Sequence, residues 1–471
     1  MKRIISIILT FSMMLCLFSC TDGKDNREIT VNGENASNTE NQIESITKKI
    51  VTTIAEVVSD IQPTEKETEI AVSDPISAVQ GGGLCQPQAA IRGTTDLAIS
   101  LLKNTLDTPN AVISPVSVAI ALTMAGSGAK DKTLDEFQKI LGSSMSGMQG
   151  FVESYLNTVN SNPDLGINLA NSVWFNAQKG RLNVNSRFEE LCKNRFHADI
   201  FKEEFASATA DRINKWISDK TDGKIEKVLE EIPDEAVAYL INTVLFEAEW
   251  AGNYTSRDVV PNFLFTTADG RKQSVTMLKS VEPVNDTVNF KLGKTEALIK
   301  DYKNGYKFVA MLPNEGVSIE KALESLDGQE FVNAVTKKNV NENGEFLVGI
   351  HPLIVYLPKF ESECKFTLAE TLKAMGMTKS FSSRDADFSD MATSSRGNIF
   401  INEVFHNTYI KLDEKGTKAA ASTAVEMFDE CASEPPETTK ELRFDRPFIY
   451  VIVSPEGIPL FAGTVTDFEA G

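Results

Sequence analysis

Residues 413–425, DEKGTKAAASTAV, carry almost no bulky side chain, and this run limits what the chain can fold into more than any other segment. In an extended strand, successive side chains point to opposite faces. Such a strand can enter the middle of a sheet, because its small, increasingly apolar face can be buried while its charged face stays in solvent. The alternative is a surface loop of small residues. The face to be buried would carry Thr417, Ala419, Ala421, Thr423, Val425 and Met427, and the other face Lys418, Ala420, Ser422, Ala424 and Glu426.

Two apolar segments follow this run. Residues 448–453 and 459–465 are rich in β-branched and aromatic side chains, and residues 454–457, with the sequence SPEG, separate them. Because Ser, Pro and Gly favour turns, this pattern predicts a hairpin of two buried strands.

Helical and β-rich runs alternate along the rest of the chain. Residues 94–106 and 207–217 have helical periodicity, whereas residues 238–246 and 349–357 are β-rich, so we predict the α+β class. No internal repeat is visible, and no stretch rich in Pro, Gly or Ser divides residues 92–471. We therefore expect one large domain over residues 91–471.

The run of small residues and the C-terminal strands together resemble the reactive-centre loop and last hairpin of the serpins. Further segments extend the resemblance from about residue 92 to residue 468, in the order in which the family has them. Because the segments occur in this order, a chance resemblance is a poor explanation. The segments are 110–122, 171–175, 213–217, 221–225, 241–246 with Trp250, 357–360, 368–377 and 386–389.

The resemblance implies the serpin fold: a large, mainly antiparallel central sheet with further sheets, surrounding helices and an exposed reactive-centre loop at about residues 414–442. It also implies three groups of functional residues. The hinge of the loop would be Glu414, Gly416, Thr417, Ala419, Ala420, Ala421 and Ser422. Trp250 would mark the breach, where the loop enters the sheet. Ser114, Ser117, Asn242 and His406 would form a shutter beneath the sheet, with His406 hydrogen-bonded to Asn242 and to both serines.

The implied activity is suicide inhibition of a serine protease, with a papain-like cysteine protease as the second class of target. After acylation, the loop would insert into the sheet before water releases the protease. The small residues of the hinge support this activity, because a bulky or charged side chain on the buried face would slow insertion. The alternative is a non-inhibitory, serpin-fold binding module. We expect a monomer.

The position of the cleaved bond depends on how it is counted. The usual spacing from Gly416 gives Glu430-Cys431, whereas counting back from Phe444 gives a bond near Pro435 and Pro436. We favour the first count, because the length of the inserted strand is set from the hinge. Cleavage after Val425, Met427, Phe428 or Asp429 is the remaining alternative, and each would suit a different class of protease.

The N-terminus has the pattern of a secretory signal over residues 1–19. Lys2 and Arg3 precede an apolar run at residues 4–18. The end of this run, Leu-Phe-Ser-Cys, resembles a bacterial lipobox in which Cys20 would be lipidated. The alternative is an ordinary cleavable signal. The pattern predicts export in a bacterium, with lipid anchoring at the cell surface or in the envelope, or secretion.

Residues 20–90 are predicted to form an acidic, flexible tether. Residues 21–85 hold 12 Asp and Glu against 5 Lys and Arg. Ile43, Ile46, Ile50, Ile54, Val57 and Ile61 recur at helical spacing, which predicts a short amphipathic helix over residues 43–61. We interpret it as a transient or docked helix, with an oligomerisation helix as the alternative.

The chain offers little for catalysis, metal binding or nucleic-acid binding. Its three histidines, His197, His351 and His406, are scattered, and no HExxH or GxSxG motif occurs. We therefore predict no enzyme activity, no cofactor and no metal. The net charge of −19 argues against a nucleic-acid partner. The six cysteines lack a disulfide pattern, and we expect Cys192 and Cys364 to be buried free thiols.

Overall fold

The computed structural model describes residues 86–252, 254–285, 287–338, 351–417 and 440–468. These residues belong to one compact unit, Gly82–Gly471. The predicted signal, Cys20, the stripe at residues 43–61, the hinge residues after Thr417 and the candidate cleaved bonds lie outside the described residues. The helices are α1 (Gln86–Lys103), α2 (Pro115–Gly126), α3 (Asp131–Leu141), α4 (Met145–Ser161), α5 (Ser186–Arg195), α6 (Ser207–Lys220), α7 (Ile319–Glu324), α8 (Gly328–Thr336) and α9 (Ala369–Ala374).

The strands are shorter and more numerous than the helices. In chain order they are β1 (Val112–Ile113), β2 (Ile167–Asn176), β3 (Leu182–Val184), β4 (Asp199–Glu203), β5 (Ala238–Phe246), β6 (Ala248–Glu249), β7 (Val259–Thr266), β8 (Lys272–Val284), β9 (Asn289–Leu292), β10 (Thr295–Asp301), β11 (Lys307–Pro313), β12 (His351–Pro358), β13 (Phe360–Thr367), β14 (Ala392–Ser394), β15 (Phe405–Asp413), β16 (Gly416–Thr417), β17 (Lys440–Arg443), β18 (Phe448–Val453) and β19 (Pro459–Val465). Together with the helices they confirm the α+β class.

The central sheet is in two parts. One part has the order β4-β2-β5 and the other β13-β15-β16-β6. The two parts meet where β5 continues through Glu247 into β6. From that point toward the start of β5, no ladder joins β5 to β15 among the described residues. The sheet is therefore open between these two strands.

Two further large sheets occur among the described residues. A six-stranded sheet has the order β1-β19-β18-β11-β10-β9, and a four-stranded sheet has the order β17-β12-β8-β7. The predicted hairpin is confirmed, because β18 and β19 pair antiparallel. Strands β3 and β14 form a separate pair.

Helix α2 is the buried support of the central sheet. It contacts both β5 and β19. Eleven of its twelve residues are buried, as expected for a helix that is apolar on all sides. Ser114 caps its N-terminus by accepting the backbone N–H of Ser117, and Pro115 occupies the first turn, where no N–H is needed.

Helix α1 begins earlier than the sequence pattern indicates. It starts at Gln86, so residues 86–90 are helical rather than part of the tether. The sequence pattern of this part is weak because the segment, Gln-Pro-Gln-Ala-Ala, has no large apolar side chain. Ala90 nevertheless packs into the core, with no exposed surface.

The segment that leads to the lower end of β15 is fixed by one carboxylate. The Glu136 side chain of α3 accepts the backbone N–H groups of Thr378, Lys379 and Ser380 at 2.8–3.2 Å. It also accepts the Ser380 hydroxyl at 2.9 Å. From there the chain runs past Met391, whose N–H donates to the Gly128 carbonyl at 3.1 Å. Glu136 thus helps to hold residues 380–404 beneath the open part of the sheet.

Replacing Glu136 by Gln should destabilise the fold. The amide can accept fewer of these bonds and carries no charge, so the free energy of unfolding should fall by about 1.5–3 kcal/mol. Urea denaturation followed by circular dichroism measures this difference. Asp135→Asn, an exposed neighbour on the same helix, is the control and should change stability much less. Equal effects of the two substitutions would contradict the role given to Glu136.

Candidate strand-insertion site

The hinge already forms a strand in the central sheet. Strand β16 pairs with β15 on one side, where Thr417 faces Leu412, and with β6 on the other, where Thr417 faces Ala248. Thr417 is buried, which agrees with the face assigned to it from the sequence. The first two residues of a strand between the two parts of the sheet are thus in place.

Gly416 is required by close packing at this point. Its φ of 144° lies in the region that glycine favours, and a Cβ atom would stand 2.0 Å from the Ala248 carbonyl oxygen. No other residue type could pair here without moving β6.

Trp250 forms hydrogen bonds with the start of the hinge. Its indole N–H donates to the Asp413 carbonyl at 2.9 Å, and its backbone N–H donates to the Lys415 carbonyl at 3.0 Å. The indole stacks on the Tyr302 ring with 4.5 Å between centroids. The Tyr302 hydroxyl lies 2.5 Å from the Thr417 hydroxyl. Trp250 is therefore next to the hinge, where the resemblance predicts it.

Glu414 is paired with Lys359, a contact that the sequence analysis did not include. The carboxylate lies 2.6 Å from the Lys359 ammonium. Burial acts to raise the pKa of Glu414, but the Lys359 ammonium outweighs it and leaves this pKa below its usual range. Lys359 lies just after β12 and Tyr302 just after β10, far from the hinge in sequence, so only the folded register could identify either partner.

Below the hinge, a cavity of about 540 Å³ lies in the open part of the sheet. Residues 235–243 form one wall and residues 398–407 the other, and α2 contributes Val118, Ala121 and Leu122. Among the described residues, no ladder joins the facing edges of β5 and β15 along this cavity, which is the condition for adding a strand.

The predicted shutter residues lie around the upper part of this cavity, but they are divided between its two sides. His406, on β15, accepts the backbone N–H of Ser114 at its Nε2 atom, with a distance of 2.9 Å. The Ser114 hydroxyl donates to the Leu460 carbonyl at 2.7 Å. On the other side, the Asn242 side chain accepts the Ser117 hydroxyl and donates to the Asn171 side chain at 2.7 Å.

Two expected contacts are therefore wrong. His406 forms no hydrogen bond with Asn242, because β5 and β15 are not paired at their level, and none with Ser117, whose hydroxyl donates to Asn242 instead. His406 also contacts Ser114 through the backbone of that residue rather than through its hydroxyl. Asn171, which the sequence analysis included only in a segment that carries the resemblance, belongs to the cluster.

The other candidate residues have no shared site. His197 is on the surface, 2.8 Å from the Asn157 side chain. Cys192 and Cys364 are buried free thiols, which confirms the prediction, and burial raises the pKa of Cys192 to about 12. No group of three or more His, Cys, Asp or Glu suited to a metal ion occurs among the described residues. None of the described helices is both long enough and apolar enough to span a bilayer.

Comparison with known proteins identifies the family. A family model described as Serpin (serine protease inhibitor) matches residues 92–468, so the chain belongs to the serpin family. The native-state structure of the thermophilic serpin Tengpin is 35% identical with a TM-score of 0.70, over 80% of this chain and 94% of that one. Leukocyte elastase inhibitor of Xenopus laevis is 27% identical over 73% of this chain and 89% of its own. Thyroxine-binding globulin of Mus musculus is 25% identical over 76% and 84%.

These comparisons confirm the serpin fold and the family resemblance. Serpins are protease inhibitors rather than enzymes, and the relative from Xenopus laevis is named as an inhibitor of a protease. The chain is accordingly not an enzyme, and its expected partner is a protease. Members of the family are mostly extracellular or secreted.

Protonation of His406 should make stability depend on pH. Burial lowers the pKa of His406 from 6.5 to about 4. Between these values the unfolded chain takes up a proton and the folded chain does not. The contribution of His406 to the free energy of unfolding is therefore fully present above pH 6.5. It falls by about 3 kcal/mol as the pH drops to 4, for a pKa shift of this size.

The His406→Gln variant should lack this component. Urea denaturation from pH 7 to pH 4 should show a loss of unfolding free energy about 3 kcal/mol smaller than in the wild type. His197→Gln is the control and should follow the wild type. Parallel pH profiles for the wild type and His406→Gln would show that His406 does not titrate on unfolding.

Proposed function

We propose that this serpin inhibits a serine endopeptidase outside the cytoplasm, by inserting its reactive-centre loop between β5 and β15 after acylation. A papain-like cysteine protease is the second class of target. The observation that carries the proposal is the cavity between β5 and β15, which lies further along the same gap as a hinge strand that is already paired on both sides. Residues 419–424, which would enter this gap first, are all small.

The observed register, if it continues, matches small residues to buried positions. Thr417 faces Leu412 of β15, so Ala419 would face Ile410 and Ala421 would face Thr408. Ile410 and Thr408 are 2% and 1% exposed. Small side chains suit this face because α2 lies close beneath it. Lys418 would lie on the opposite, solvent face.

Insertion would also supply hydrogen-bond partners to polar groups on the two sides of the open sheet. The same register brings Thr423 opposite His406 on one side and Asn242 on the other. It brings Ser422 opposite Thr243, whose hydroxyl is buried with no hydrogen-bond partner among the described residues. New hydrogen bonds at both levels would favour the inserted state. We infer that Ser114, Ser117, Asn242 and His406 act as a shutter that accepts this strand.

The depth of the cavity supports the cleaved bond counted from the hinge. In the continued register, Glu430 would lie opposite Ile399, near the lower end of the wall formed by residues 398–407. The protease would travel roughly 40 Å while the strand from Thr417 to Glu430 forms. We propose Glu430-Cys431 as the reactive bond.

Formation of the covalent complex requires only the acylation step of the protease's own reaction. Its serine oxygen attacks the carbonyl of Glu430, the peptide bond breaks, and the amine of Cys431 leaves with the proton supplied by the protease. The ester then either hydrolyses, which releases a cleaved serpin, or persists because insertion has displaced the protease. Inhibition therefore depends on insertion being faster than deacylation.

The mature chain should form a covalent complex with at least one protease from a panel of elastase-, chymotrypsin-, subtilisin-, trypsin- and glutamate-specific enzymes. Denaturing electrophoresis should show a band at the summed mass, and mass spectrometry of the released peptide should give the bond. Thr417→Arg should be cleaved without forming this band, because a charged side chain on the buried face slows insertion. Lys418→Arg places the same side chain on the solvent face and should inhibit normally.

Two results would change this interpretation. Full trapping by Thr417→Arg would contradict insertion at this hinge. Cleavage between residues 425 and 440 without a covalent band, for every protease, would favour the non-inhibitory binding module. Release after Val425, Met427, Phe428 or Asp429 would keep the mechanism and move the bond.

We also propose that residues 1–19 are a lipoprotein signal and that Cys20 carries a lipid anchor, with residues 20–90 as the tether. Metabolic labelling with a radioactive fatty acid should label the wild type, and Cys20→Ala should lose the label and leave the membrane fraction. Cys16→Ala, within the signal, is the matched control and should keep the label. Labelling of Cys20→Ala would contradict the anchor.

A further inference from the structure

A lysine and a glutamate are buried together behind Trp250. Lys300 of β10 and Glu282 of β8 form an ion pair whose side chains are only 9% and 21% exposed. The Ser280 hydroxyl donates to Glu282 at 2.7 Å and lies 3.3 Å from the Lys300 ammonium. A buried pair of this kind must offset the loss of hydration of both charges, so it is poorly explained as a source of stability alone.

The ammonium group lies against the aromatic side chains of the hinge region. Its nitrogen is 5.9 Å from the centroid of the Trp250 ring and 5.1 Å from that of the Tyr254 ring. Both distances are within the range of cation–π attraction. The contact gives Trp250 an electrostatic partner in addition to the rings that surround it.

The remaining ring contacts of Trp250 are consistent with the orientation in which the cation lies over the indole. The ring is stacked on Tyr302 with an interplanar angle of 6°, and it meets Phe308 edge-on at 85°. In this orientation the indole N–H reaches the Asp413 carbonyl. Lys300, in β10, and Tyr302, just after it, are two residues apart, so in an extended chain both can lie on the side that faces Trp250.

We propose that Lys300, held by Glu282, is a positioning residue for the hinge. It keeps the Trp250 indole oriented so that residues 413–417 stay paired in the sheet, which lets the loop insert before the acyl-enzyme hydrolyses. The effect on inhibition rests on the proposed function. The effect on the hinge itself does not.

The test removes both charges at once, so that neither is left buried and unpaired. Lys300→Met with Glu282→Gln keeps the approximate shapes of the two side chains. Lys202→Met with Glu189→Gln is the control, because it removes a Lys–Glu pair with a 2.7 Å separation that lies between β4 and α5. Lys300→Arg keeps the charge and should retain most of the wild-type behaviour.

The first readout is hydrogen exchange of the backbone amides in residues 412–417, followed by mass spectrometry. Loss of one cation–π contact should speed this exchange by roughly two- to thirtyfold in the double variant, with no comparable change in β13. The control variant should match the wild type. Unchanged exchange in a folded double variant would overturn the proposal, whatever the protease assays show.

The second readout is the ratio of cleaved serpin to covalent complex, with a protease that the wild type traps. The ratio should shift toward cleavage by a similar factor, while the rate at which the loop is first attacked stays within about twofold, because acylation precedes insertion. A wild type that traps no protease would refute the proposed function and leave the exchange result to decide the role of Lys300. An unchanged ratio with faster exchange would limit Lys300 to holding the hinge and refute its role in inhibition.

Ser280→Ala is the second variant if the double substitution does not fold. It removes the hydrogen bonds of the Ser280 hydroxyl to both members of the pair and no charge. Exchange in residues 412–417 should rise by a smaller factor, in the same direction. No increase in this folded variant would also count against the proposal.

Discussion

The pairing of two residues, Gly416 and Thr417, with strands on both sides is the constraint on which the rest of the site depends. It joins the two parts of the central sheet at one end and leaves them apart at the other. Because β16 is anchored by β6 and β15, the open region below it has a defined width and direction. The roles given to the polar cluster, the cavity and Trp250 all depend on this pairing.

The site combines groups that are satisfied now with groups that a new strand would satisfy. His406 has a partner on the β15 side and Asn242 has partners on the β5 side, so each half of the sheet is stable as it stands. The Thr243 hydroxyl is among the buried groups without a hydrogen-bond partner in the described residues, and no ladder there joins the facing edges of β5 and β15. Under the proposed function, the arrangement described here is stable locally, while insertion of the loop would give the same chain a better-paired arrangement.

Local pattern predicted much of this arrangement. Alternation of side chains placed Thr417 on a buried face, the apolar runs gave the hairpin of β18 and β19, and the β-rich run at residues 238–246 is β5. Local sequence patterns could not predict the contacts of Lys359, Tyr302 and Lys300, because each contact depends on which strands become neighbours. The same limit explains the error at His406 and Asn242. Family resemblance named both residues, but only the folded register shows the distance between their strands.

The order of strands in the six-stranded sheet has a consequence for synthesis of the protein. Strands β18 and β19 lie between β1 and β11, yet they follow the reactive-centre loop in the chain. Leu460, which accepts the Ser114 hydroxyl, is in β19. During translation, the core beneath α2 therefore cannot close until after the loop has left the ribosome. For that interval the growing chain must keep the loop out of a sheet whose supporting layer is still incomplete.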